Sequence, residues 1–195
     1  AAAVLAIWAA VTGRSFRIPK GYGHHLLILS LIFTAQLSLF YLGLSKTNAS
    51  RGTLIGNLQP FFTLFLAHFF ITGDRLNIRQ LAGILMGFGG VVFVFWDASD
   101  FTSDLKSGDL IVMTATFIWA CNAVYVKRII HAFQPFQITF YPMVLAVPLF
   151  FCEAWLWDPV MVKELSTEVV AALFYQGFVT ASFGFVAWNT LLRKH

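Results

Sequence analysis

Residues 24–71 read HHLLILSLIFTAQLSLFYLGL, then SKTNASRG, then TLIGNLQPFFTLFLAHFFI. Two long apolar runs flank eight small or polar residues. A bilayer core is about 30 Å thick, so a crossing helix needs about twenty apolar residues. Only helices and closed barrels cross while satisfying every backbone amide. The runs are too long and too continuous for the ten-residue alternating strands of a barrel. This pair predicts two membrane helices joined by a tight turn, and it sets the pattern for the rest of the chain.

The same pattern repeats outward in both directions. Membrane helices are predicted at 24–44, 53–71, 80–97, 109–126, 136–157 and 168–192. Residues 1–12 make a helix of only about 18 Å, too short to span, and are read as the tail of a helix that begins earlier. The expected fold is an all-α polytopic membrane protein with about six full spans plus a helix remnant. Composition agrees: the chain is 58% hydrophobic and 11% charged, with mean hydropathy +0.76, against roughly a quarter charged in soluble domains.

Charges collect in the loops and alternate in sign. One set of loops carries Arg14, Arg17, Lys20, Arg75, Arg79, Lys127, Arg128, Arg193 and Lys194, with Asp74 as its only acid. The other carries Lys46, Arg51, Lys106 and Lys163 against seven acids, Asp97, Asp100, Asp104, Asp109, Asp158, Glu164 and Glu168. The positive-inside rule places the first set in the cytoplasm. Helix 24–44 then runs outward and helix 168–192 runs inward. The net charge of +4 is thus a topology signal, and no basic run interleaved with aromatics marks a nucleic-acid surface. Tyr22, Trp96, Trp155 and Trp157 fall where an aromatic belt would lie.

Polar residues inside the runs are the functional candidates. Asn57, Gln59 and Pro60 sit near the middle of helix 53–71, where proline removes a backbone hydrogen bond and kinks the helix. The freed carbonyl must be met by protein or by water in a cavity; a packing kink with amides bonded to neighbouring helices is the competing reading. Thr34, Ser38, Tyr41 and Ser45 stack on one face of helix 24–44, with Gln36 off that stripe. Ser and Thr can also satisfy their own helix. Tyr175, Ser182 and Asn189 repeat the stripe in helix 168–192, and helix 109–126 offers Trp119, Asn122 and Tyr125. His68 and Glu153 are the ionisable residues within spans, and such groups are candidates for proton coupling. Gly83, Gly87 and Gly90 have the spacing that lets helices approach closely in lipid. Cys121 and Cys152 read as small buried hydrophobes. There is no P-loop, metal-ligand spacing or nucleophilic triad, so no cofactor and no metal is expected.

The order of these features resembles a known family. Gly43-Leu44-Ser45-Lys46-Thr47-Asn48-Ala49-Ser50 leads into a helix with Gln59-Pro60-Phe61. Gly73-Asp74-Arg75-Leu76 follows, then Gln80-Leu81-Ala82-Gly83 and Gly89-Gly90-Val91. This run resembles the EamA domain of drug/metabolite transporters, with Asp74 where that family usually has Glu. Trp119-Ala120, Tyr125 and Lys127-Arg128, then Trp188-Asn189 and Leu191-Leu192-Arg193, resemble helices of a second EamA repeat. The resemblance implies inverted five-helix repeats, only partly covered here. Residues 1–97 would be the C-terminal part of the first, 98–108 an outer connecting loop, and 109–195 the N-terminal part of the second.

It also implies a secondary transporter or exporter of small organic metabolites or drugs. Transport would proceed by alternating access around a cavity near the midplane. Carried onto this sequence, the cavity residues are Thr34, Ser38, Tyr41, Asn57, Gln59, Pro60, Trp119, Asn122, Tyr175, Ser182 and Asn189. The expected partners are a small-molecule substrate and the lipid bilayer, with a homodimer as a further candidate and no nucleic acid. The expected location is the inner membrane of a bacterial or archaeal cell. A non-transporting sensor or assembly protein is the alternative. A membrane enzyme acting on lipid-linked substrates, hinted at only by His24 and His25, is the weaker one.

Overall fold

The computed structural model describes residues 2–11, 13–71, 77–95, 107–157 and 166–177, with 184, 187 and 191. Every regular element among them is helical: α1 (Ala2–Val11), α2 (Gly23–Leu44), α3 (Ala49–Gly56), α4 (Gln59–Phe70), α5 (Ile78–Phe95), α6 (Ser107–Ile129), α7 (Pro135–Trp157) and α8 (Thr167–Tyr175). Among the described residues, four stretches are long and apolar enough to cross a membrane: Gly23–Leu44, Ala49–Phe70, Ser107–Ala132 and Pro135–Leu156. The predicted runs at 24–44, 109–126 and 136–157 therefore appear as expected, each a little longer. Of the run at 168–192, the continuous described helix is α8 alone.

One predicted helix differs in kind. The run 53–71 starts earlier, at Ala49, and is interrupted at Asn57 and Leu58. Pro60 is the second residue of α4 and not a mid-helix kink. Its fixed φ suits a helix start, where a missing N–H costs nothing within α4 itself. Asn57 and Leu58 keep right-handed helical backbone angles, so the chain continues through the break in roughly the same direction.

The ends of the helices are closed by local chemistry. Ser166 caps α8 by accepting from the Val169 N–H. At the head of α5 the Asn77 N–H donates to Gln80 Oε1, and Asn77 Oδ1 accepts from Arg79 N–H. At the head of α7 the Gln134 N–H donates to Gln137 Oε1, with Pro135 as the first helical residue. The first is a variant of the reciprocal capping box and the second has only its back-bond, and each satisfies an amide that no helix turn can reach.

The chain divides into two compact units, one of residues 1–34 and 129–195 and one of residues 35–128. In the first, the extended segment after α1 is sewn to α7. The Gln137 side-chain NH2 donates to the carbonyls of Ser15 (2.8 Å) and Arg17 (3.2 Å), and the Tyr141 hydroxyl donates to that of Phe16. The Phe16 ring meets Phe136 and Phe140 edge-on, both at 5.6 Å. Edge-to-face pairs of this kind add about 1 kcal/mol beyond their buried area.

In the second unit, the C-terminal half of α2 runs antiparallel to α3. Leu44 lies against Gly52, and Phe40 against Gly56. Helices α4 and α6 run parallel, with Phe62 edge-on to Phe117 at 5.5 Å. One turn further along, Leu66 and Ala67 pack with Ala120 and Val124 in a small apolar core. Phe61 meets Phe88 of α5 at 5.3 Å. Large apolar side chains remain exposed on the helix faces, among them Phe65, Phe69, Met86, Phe93, Trp155 and Leu156. Such surfaces suit lipid or further protein rather than water.

The glycines of α5 do not mediate a close approach among the described residues. A Cβ added to Gly83, Gly87 or Gly90 would meet nothing within 4 Å, so the packing role predicted from their spacing finds no partner there. The close approach is elsewhere, at Gly43 and Gly108. A Cβ on Gly108 would lie 2.6 Å from the Lys46 carbonyl carbon, and one on Gly43 would lie 2.8 Å from the Val112 nitrogen. Only glycine lets the ends of α2 and α6 touch backbone to backbone.

Candidate functional site

The 35–128 unit holds most of the candidate residues and one buried charge cluster. Asp109 lies in the first turn of α6 and is 1% exposed. One carboxylate oxygen accepts from the Thr47 hydroxyl. The other accepts from Arg51 Nη2 at 2.5 Å, and Arg51 is itself buried in α3. The Gly43–Gly108 approach brings these elements near enough for the ion pair to form. A charge taken this far from water persists only with a close partner and further hydrogen bonds, and the α6 N-terminus adds favourable dipole.

Around the α3–α4 break the amides turn inward on their own helices. The Asn57 side-chain NH2 donates to the Thr53 carbonyl at 2.8 Å, and that of Gln59 donates to Thr63 Oγ1 at 2.9 Å. Asn57 and Pro60 are exposed, and Gln59 is half-buried. Pro60 has no N–H to offer the Gly56 carbonyl, which is the backbone group the break leaves short of a donor.

On α2, the Thr34 hydroxyl donates back to the Ser30 carbonyl at 2.8 Å. Ser38 is half-buried, and Tyr41 is 56% exposed. Trp119 of α6 is 40% exposed, while Asn122 has a buried side-chain oxygen without a hydrogen-bond donor among the described residues. Ser38, Tyr41, Asn57, Gln59, Pro60, Trp119 and Asn122 therefore belong to one unit, and Thr34 and Tyr175 to the other. Tyr175 closes α8 and is exposed. Ser182 and Asn189 lie outside the described residues. His68 is exposed in α4 with its ring 5.0 Å from Phe69; Glu153 is half-buried near the end of α7.

An open cavity of about 210 Å³ lies between α4 and α6, lined by Leu66, Phe70, Cys121, Val124, Tyr125 and Arg128. None of the eleven cavity residues expected from sequence lines it. Its walls are apolar, with Tyr125 and Arg128 as its polar members.

Two features escape a reading of the sequence. Arg51, Thr47 and Asp109 look like ordinary loop charges and a loop hydroxyl, because nothing local reveals a partner about sixty residues away. Gln36 stands off the polar stripe, yet it is 5% exposed and its side-chain oxygen has no donor among the described residues. Its signal was its isolation: a lone amide in an apolar run has no neighbour on its own helix to satisfy it.

Comparison with known proteins bears on the same features. The model of the EamA-like transporter family matches residues 1–96 and again 106–195. A Bacillus subtilis protein named "Uncharacterized transporter YyaM" is 31% identical over 161 residues, covering 80% of this chain and 52% of the relative. An Escherichia coli protein named "Probable amino-acid metabolite efflux pump" is 29% identical over 155 residues, covering 75% and 52%. An Archaeoglobus fulgidus protein named "Uncharacterized transporter" is 26% identical over 173 residues, covering 87% and 59%. The chain spans about half the length of the curated relatives it matches. With apolar helices of crossing length and a family match over nearly all of its residues, this integral membrane protein belongs to the EamA-like transporter family.

Proposed function

We propose that the chain is part of a secondary transporter that exports small organic metabolites by alternating access. The observation that carries this reading is the broken span Ala49–Phe70. A crossing helix interrupted near its middle, with two amides and a proline at the interruption, is how secondary transporters place polar groups at the membrane midplane. The name of the Escherichia coli relative extends the proposal to amino-acid metabolites as the substrate class and to efflux as the direction.

The remaining architecture follows from the same reading. Inverted five-helix repeats, with residues 1–97 in the first, 98–108 connecting and 109–195 in the second, are supported by the family match at 1–96 and 106–195. Loop charge supports a cytoplasmic position for Arg14, Arg17, Lys20, Lys127 and Arg128, and hence the inner membrane. The residues proposed for substrate binding are Ser38, Tyr41, Asn57, Gln59, Pro60, Trp119 and Asn122 within the 35–128 unit, with Thr34, Tyr175, Ser182 and Asn189 as further candidates. His68 and Glu153 are the groups proposed for proton coupling, and a homodimer is the proposed assembly. The reading is not enzymatic.

The test is counterflow of radiolabelled amino acids into proteoliposomes, using the complete reading frame that carries this chain. Asn57→Leu and Gln59→Leu remove polar groups at the break while suiting a lipid environment. Both variants should insert normally and lose transport by about tenfold, the effect of one hydrogen bond at the site. Unchanged kinetics in both variants would refute the assignment of the break to the transport path.

A further inference from the structure

Two side-chain amides in the 35–128 unit hold oxygens that are buried and have no donor among the described residues: Gln36 Oε1 and Asn122 Oδ1. Buried polar atoms are almost always paired, so an exception marks a missing partner. Most hydroxyls in these helices have none missing. Ser30, Thr34, Thr114 and Thr116 each donate to the carbonyl four residues earlier.

Helix register places the two amides close in depth. α2 and α6 touch at Gly43 and Gly108, where the Gly43 Cβ position abuts Val112. Gln36 lies one heptad before Gly43, and Asn122 two heptads beyond Gly108, so both fall on the facing stripes of the two helices. Measured from the Gly43–Val112 contact, Gln36 is about 10 Å along α2 and Asn122 about 15 Å along α6. They are one turn apart.

The α3–α4 break lies at the same level. Phe40 rests on Gly56, and Gln36 is one turn before Phe40 on the antiparallel helix, level with Pro60. The Gly56 carbonyl, deprived of its usual donor by Pro60, is a third acceptor there. Gln36 Oε1, Asn122 Oδ1 and this carbonyl therefore offer three acceptors at one depth. A primary ammonium, with three N–H donors and no acceptor, is the complement.

We infer that Gln36, together with Asn122, receives the ammonium group of the transported metabolite, which makes Gln36 a specificity-determining residue. The inference rests on the transporter reading above and names the substrate group that the site selects. Gln36 supplies a neutral acceptor, which orients an ammonium without trapping it as a buried carboxylate would.

The test uses the complete reading frame in proteoliposomes. Counterflow of radiolabelled apolar amino acids, L-leucine first, is competed with isocaproate, which lacks the ammonium, and with isopentylamine, which lacks the carboxylate. The wild type should be inhibited by isopentylamine and about tenfold more weakly by isocaproate. Gln36→Met should raise the KM for leucine and the inhibition constant for isopentylamine by about tenfold, with isocaproate unchanged. Gln36→Glu, which keeps size and acceptors, should retain or tighten amine recognition, and it carries the test if Gln36→Met fails to accumulate. An equal change for all three compounds in Gln36→Met, as a structural water at Gln36 would produce, overturns the inference and leaves the transporter reading intact. Absence of wild-type counterflow for every amino acid overturns both.

Discussion

Replacing Asp109 by alanine should cost more stability than any other single change in the 35–128 unit. The substitution strips the buried Arg51 guanidinium of its counter-ion and the Thr47 hydroxyl of its acceptor. Removing one member of a buried pair costs about 3–5 kcal/mol, because the other charge is left unpaired. The Arg51 side chain keeps 10% exposure against 2% for Asp109, so some water reaches the orphaned guanidinium. That places the expected loss at the lower end, about 3 kcal/mol. About 0.5 kcal/mol of it comes from losing an acid at the α6 N-terminus.

Asp109→Asn should lose less, since an amide oxygen still serves Thr47 while the charge is gone. The double variant Asp109→Leu with Arg51→Met should lose less than either single change, since an apolar pair of similar volume needs no desolvation. The assay is SDS-induced unfolding of the purified full-length protein in mixed micelles, followed by tryptophan fluorescence. A coupling energy of at least about 3 kcal/mol between the two positions is expected. A loss below about 0.5 kcal/mol for Asp109→Ala, the range of ordinary surface changes, would falsify the description of Asp109 as a buried, paired charge. So would strictly additive single and double variants.

The same unfolding assay reads the other changes. Gly108→Ala should destabilise by about 2 kcal/mol, because its methyl group would meet backbone of Lys46 and Gly43 that has no rotamer to escape into. Gly83→Ala, with nothing within 4 Å, should be neutral or stabilise by up to about 1 kcal/mol through helix propensity, and a loss as large as that of Gly108→Ala would show a packing partner at α5. Gln137→Ala removes two side-chain bonds to the 15–17 segment and the α7 cap, so a loss of about 2 kcal/mol is expected. An accompanying rise in proteolysis between α1 and α2 would locate that loss.

What the sequence makes legible here is what depends on runs. Hydropathy over about twenty residues reports a transfer free energy summed over many side chains, so α2 and α7 are read to within a residue and α6 to within three. The break at Asn57 and Leu58 was legible as a disturbance because Pro60 announces it, but its form was not. A proline four residues after a glycine reads equally well as a kink or as the start of a new helix, and packing decides between them. Thr34 and Gln36 of α2 differ in how their polar atoms are met. Thr34 lies on a stripe yet spends its hydroxyl on Ser30, whereas Gln36 lies on none and its buried Oε1 has no donor among the described residues. An amide cannot be satisfied by the turn below it as readily as a hydroxyl can, so isolation in an apolar helix is the stronger mark. The Arg51–Asp109 pair was beyond reach because each charge sits beside a loop, where charges need no partner.

That pair also separates two divisions of the chain that a sequence reading treats as one. The family match falls into residues 1–96 and 106–195, the division expected of tandem repeats. Compactness falls elsewhere, gathering residues 35–128 into one unit. The contacts inside that unit join residues on the two sides of the family boundary: Arg51 and Thr47 with Asp109, Gly43 with Gly108 and Val112, and Leu66 and Ala67 with Ala120 and Val124. A buried ion pair and a backbone-to-backbone glycine contact are both costly to break, the first because it strands a buried charge and the second because it is close-packed backbone. Helix α6 is therefore fastened to α2, α3 and α4 by contacts that cross the boundary between the two family matches. If Asp109→Ala weakens the unit by about 3 kcal/mol, residues 35–128 are held together by contacts that cross the family boundary.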